Sequence, residues 1–181
     1  MKFSIHPILY LTLFSFLIVL QSCKKDDPEV INEEEEINRV TLQVTQSGGS
    51  ATSYTWNEGD GNLSVALSSD TSYEVKVFFY DASDPNDIED ITEEVREEAD
   101  EHLVFYEIAS AAPAQISAAS NDTKDGDNVP VGLITTWTTS AAGSANAKLF
   151  LIHEPTNKAG SSRSAIGGET DVEVDLAINV N

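Results

Sequence analysis

The chain has 181 residues, 40% of them hydrophobic and 23% charged, and its 31 acidic side chains against 10 basic ones leave a formal net charge of -21. A field of that sign opposes binding to nucleic acid or to anionic headgroups through charge alone. The single cysteine excludes an internal disulfide, and the length suits one ordinary domain plus a tether.

At the start of the chain, Lys2 precedes the apolar run Ile8–Leu20, which only Tyr10, Thr12 and Ser15 interrupt. That length fits the apolar region of a secretion signal and is short for a membrane-spanning helix. Leu20-Gln21-Ser22-Cys23 follows directly and resembles the bacterial lipobox, with Gln21 standing where a small residue is commonest. The resemblance implies thioether lipidation of Cys23 and cleavage just before it, so residues 1–22 read as a signal peptide. Each buried acyl CH₂ contributes about 0.8 kcal/mol, and two or three chains hold a protein stably at a membrane. Residues 23–36 read as an acidic tether, ending in Glu33-Glu34-Glu35-Glu36 and too charged to pack. Its opening, Lys24-Lys25-Asp26-Asp27, looks like the export tag of Bacteroidota lipoproteins, which implies an outer-membrane address on the cell surface or the periplasmic face.

From residue 37 to 181 the dominant period is two, the period of strands with one buried face. Val40, Leu42 and Val44 alternate with Thr41, Gln43 and Thr45. Asp60-Gly61 is a turn signal, and a hairpin from Tyr54–Trp56 into Leu63 is expected. Leu63, Val65 and Leu67 continue the alternation, and Tyr73 to Phe79, apolar on both faces at its far end, reads as a central strand. Ile91, Val95 and Ala99 recur at helical spacing, and Asp90 with Glu93 has the form of an N-terminal cap, so one short helix is expected over Asp90–Glu101. Strands resume at Leu103–Ile108, Ala114–Ala118, Val131–Thr138 and Ala145–His153, with Ser140–Ser144 as a hairpin loop. In the last strand Val172, Val174, Leu176, Ile178 and Val180 point inward, and a one-residue slip would bury carboxylates. Seven to nine short strands and one helix predict an all-β fold, an antiparallel β-sandwich of immunoglobulin-like plan; a small β-barrel is the alternative. No internal repeat, phosphate loop or nucleophile elbow is present, so no enzyme activity is assigned.

The run Ile91–His102, the segment Val131–Thr139, Leu151-Ile152-His153-Glu154-Pro155, Lys158 and Gly167–Asp171 together resemble a family of flavobacterial envelope lipoproteins. Its names mention a periplasmic binding fold, and the likeness covers Ile37 to Val180. It implies an envelope address and no particular activity. The function read from the sequence is therefore a lipid-anchored binding or accessory module, working beside an outer-membrane transporter or another envelope protein.

Two candidate cation sites stand beside that reading. Glu98 and His102 would share a helical face, and His153 lies at a strand end near acids; two histidines and a carboxylate suit zinc, copper or iron, which makes a metal-binding protein assisting ion uptake the alternative. Asp122, Asp125 and Asp127, close together around Gly126, resemble an acidic calcium loop, with Lys124 set among them. Tyr54, Trp56, Tyr80 and Trp137 are expected in the core or in cross-strand pairs.

Overall fold

A computed structural model describes residues 36–181; the signal, the lipidation of Cys23 and nearly all of the tether lie outside them. The alternating segments form strands, with the expected side chains inward. In β1 (Arg39–Gln46) Val40, Leu42 and Val44 are buried and their neighbours are not. β2 (Ala51–Asn57), β4 (Ser72–Asp81), the two-residue β5 (Glu89–Asp90), β7 (Ala114–Ala118) and β8 (Ile134–Thr139) join β1 in one antiparallel sheet of order β2-β1-β4-β8-β7, with β5 on the end of β4. β4 is central, with Tyr73, Val75, Val77 and Phe79 buried on its inner face and Phe78 and Tyr80 half-buried on the outer face of its far end. A second sheet has the order β3-β10-β9-β6, from β3 (Leu63–Leu67), β6 (His102–Ile108), β9 (Gly143–His153) and β10 (Glu169–Val180).

The two inner faces share one core, with Val40, Leu42, Val75, Val77, Phe79 and Trp137 from the first sheet meeting Val65, Leu149, Leu151, Val174, Leu176 and Ile178 from the second. The fold is an all-β sandwich and is not closed into a barrel. A smaller cluster of Leu103, Phe150, Ile152 and Ile166 lies apart from that core, with Phe105 against it. Ile166 belongs to a second short helix, α2 (Arg163–Ile166), which the sequence pattern did not announce because one helical turn shows no period. Ser162 caps it, its hydroxyl accepting from the Ala165 N–H.

Four expectations are corrected. β2 and β3 do not form a hairpin: the Asn57 N–H and side-chain amide both donate to Asp60 Oδ2, and the chain crosses to the other sheet. There β3 runs parallel to β10, Leu63 opposite Leu176, so the sandwich is not wholly antiparallel. The expected hairpin loop Ser140–Ser144 is likewise replaced by a crossing between sheets at residues 140–142, with Gly143 and Ser144 already in β9, because β8 and β9 belong to different sheets. The expected helix shortens to α1 (Thr92–Glu97), and Asp90 is drawn into β5 with its Oδ1 accepting from the Thr92 N–H, so Ile91 occupies the cap position. Alternation states that one face of a strand is buried but not which sheet buries it, which is the common cause of the first three.

Candidate functional site

β6 and β9 are paired in a register that sets His102 directly across from His153, and β10 brings Glu169 opposite His153 on its other side. The two rings stack, with centroids 5.0 Å apart and planes within 10°. His102 is buried at 1% exposure, and its Nδ1 lies 3.2 Å from the Glu98 carbonyl oxygen. A carbonyl only accepts, so this contact calls for the hydrogen on Nδ1. His153 Nε2 is 3.8 Å from Glu101 Oε2.

The structure thus brings the two histidines together but not as a ligand set. Glu98 stands apart from the pair: α1 ends at Glu97, the Glu101 N–H donates back to the Glu98 carbonyl, and the Glu98 side chain is left exposed. Imidazole binds a metal along an in-plane lone pair at about 2.0–2.1 Å for zinc, and stacked rings aim those lone pairs along parallel planes instead of at a shared point. Among the described residues no group of three or more His, Cys, Asp or Glu is placed to hold a metal ion.

His102 makes folding sensitive to pH. Burial pushes the His102 ring below its ordinary 6.5, with His153 adding to the shift, against the Glu98 carbonyl and the Glu101 and Glu94 charges that favour protonation. A group depressed on folding takes up fewer protons in the native state, so its contribution is present above pH 6.5 and is lost as pH falls through the lower native value. Urea denaturation midpoints should therefore decline from pH 7.5 to pH 5, and His102→Gln should flatten that slope. An unchanged slope in the variant would contradict the assignment.

The acidic loop is built around carboxylates that are already satisfied. Asp122 is buried, its Oδ2 accepting from the Gly132 N–H at 2.6 Å and its Oδ1 from the Ile134 N–H at 2.8 Å. Burial lifts its carboxyl above the usual range even though those amides pull the other way. Asp125 accepts from the Asp127 and Val129 amides and from Lys158 Nζ at 3.0 Å. Burial would raise its carboxyl too, but the Val129 and Lys158 hydrogen bonds outweigh it and hold the group low. Asp127 is exposed. In the loop read from the sequence as a calcium site, Asp122 and Asp125 are engaged by backbone donors and a lysine, in the manner of an Asx-stabilised turn. Lys158 also donates to the Ala99 carbonyl at 2.6 Å, which ties three loops together. Its role was not legible in the sequence, since nothing local pairs residues 99, 125 and 158.

Of the aromatic candidates only Trp137 lies wholly in the core; Tyr54 and Trp56 pack at its margin, and Tyr80 stacks on Phe78. Tyr54 and Trp56 belong to β2, along which shallow hollows open. One is lined by Thr52, Tyr54 and Leu67, a second by Trp56, Asp60 and Leu63, a third by Thr55, Tyr80 and the exposed Ile88. The absence of charged residues from this strand is readable in its sequence, Ala-Thr-Ser-Tyr-Thr-Trp-Asn. No family model, curated protein or solved structure matches the chain.

Proposed function

We propose that the protein is a lipid-anchored lipoprotein of the outer membrane whose β-sandwich serves as a binding or accessory module for another envelope protein, such as a transporter. The observation that carries this reading is the coincidence of the only cysteine, Cys23, with the end of the apolar run and with Leu20-Gln21-Ser22. The resemblance to flavobacterial envelope lipoproteins supports the same address. A sandwich offers sheet edges and loops as recognition surfaces, and its rigid strands hold them in place.

Mass spectrometry of protein isolated from membranes tests the anchor. The expected mass lacks residues 1–22 and carries acyl chains on Cys23, and Cys23→Ala is expected to abolish the acylation and release the protein from the membrane after alkaline washing. A retained initiator methionine with a free thiol would overturn the proposal.

A further inference from the structure

β2 ends its sheet with one side paired to β1 and no strand on the other among the described residues. The direction of its free groups follows from two hydrogen bonds. Glu58 N–H donates to the Asn38 carbonyl at 2.7 Å, whereas Asn57 N–H turns away from β1 to Asp60 Oδ2 at 2.9 Å. With the period of two, Ser53 and Thr55 therefore also turn their N–H and C=O groups away from β1. Proteins ordinarily blunt such an edge with lysine, proline or a bulge. The sequence of β2, Ala-Thr-Ser-Tyr-Thr-Trp-Asn, has neither residue, and its register with β1 runs unbroken from Ala51 to Asn57.

The other sheet edges differ. Val104 N–H in β6 is taken by the Val131 carbonyl at 2.7 Å. In β3 the Ala66 carbonyl accepts from the Tyr54 hydroxyl at 3.0 Å. β7 has only five residues. β2 alone combines a longer bare edge with hollows on both faces: the inward side chains Thr52, Tyr54 and Trp56 line the gap towards β3, and Thr55 lines the hollow beside Ile88. An added strand would place alternate side chains into these two sets of hollows.

We infer that β2 is a strand-addition site for an extended, basic segment of a partner protein, a mode in which backbone hydrogen bonds supply affinity and alternate pockets supply specificity. Charge selects this occupant. With a net charge of -21, a second copy would be repelled by the protein's own field, and a lysine-bearing strand attracted; Glu58 and Asp60 lie at the Asn57 end of the edge, where the one nearby cation, Arg39, is turned onto Asn57 Oδ1. The acidic tether fits poorly for the same reason. At Glu36 the chain is bonded to Ser83, just past the end of β4, while Asn38 bonds to both Tyr80 and Glu58.

The inference rests on the binding-module reading, and the experiment separates the two. The full-length lipoprotein in detergent is titrated with a short synthetic peptide alternating valine with lysine and with a counterpart alternating valine with glutamate, while amide exchange is followed. The lysine peptide should bind and slow exchange at Ser53 and Thr55, and the glutamate peptide should not bind. Ser53→Pro removes an outward donor without touching the β1 ladder and should weaken binding about tenfold. If that variant proves unfolded by circular dichroism, Thr55→Lys serves instead, adding a like charge beside the peptide and weakening binding about threefold. Failure of the lysine peptide to bind, equal binding of both peptides, or equal binding by a folded variant would overturn the site. So would a dimer in sedimentation that Ser53→Pro dissolves. An envelope partner that crosslinks equally well to wild type and Ser53→Pro would leave the module reading intact and remove β2 from it.

Discussion

Trp137→Ala is expected to destabilise the protein by about 3–5 kcal/mol, a large share of the roughly 5–15 kcal/mol typical of a domain. Trp137 is fully buried in β8 and reaches across the sandwich. Its indole meets the Tyr106 ring of the opposite sheet edge-on, centroids 5.7 Å apart at 84°. Its Nε1–H donates to Thr135 Oγ1 at 3.0 Å, so the one polar atom of the side chain is satisfied inside the core. Alanine would leave a cavity between the sheets and strip Thr135 of its donor. Trp137→Phe should cost less, keeping most of the volume and losing the hydrogen bond. Guanidinium denaturation followed by circular dichroism measures both; a loss under about 1 kcal/mol for the alanine variant, the ordinary scale of a single substitution, would mean that the interior is not packed around this ring.

Gly132→Ala is expected to be nearly as damaging, at about 2–5 kcal/mol, although it adds only one methyl group. Gly132 has φ +93°, a conformation that side chains rarely adopt, and a Cβ there would overlap the Val104 carbonyl oxygen. Relief would require moving a segment held on both sides: Val131 accepts from Val104 N–H, and Gly132 N–H donates to buried Asp122. Gly59, at φ +86° with nothing within 4 Å of its Cβ position, isolates the backbone term. Gly59→Ala should cost about 1 kcal/mol, the low end of such strain. For a domain of this size each kcal/mol corresponds to roughly 2–4 °C in Tm, so thermal unfolding of the two variants should separate clearly. Equal shifts would show that close approach at Val104 plays no part.

Both sites show why loops and crossings resist reading from a sequence. Val131 and Leu133 look like the start of a strand because they alternate with Gly132 and Ile134. They are buried, but the backbone there answers to Val104 and Val77 rather than to a neighbour in one ladder. The acidic loop next to them invites a cation on composition alone. Its carboxylates find amide donors and Lys158 only once residues far apart in the chain have been brought together. His102 and His153 do meet, but as a cross-strand stack whose geometry follows from the β6–β9 register.

What the sequence by itself determined is the local alternation and hence the inward-facing set. Val40, Leu42 and Val44, then Leu63, Val65 and Leu67, then Val172 to Val180 are buried as the period of two requires, because a slip by one residue would exchange apolar side chains for polar ones. The tertiary structure alone decided which sheet each strand joins, that β3 lies parallel to β10, and that β2 is left with a bare edge. The physical reason is that burial of an apolar face is non-directional, whereas strand order and the pairing of buried carboxylates depend on contacts between segments distant in the chain.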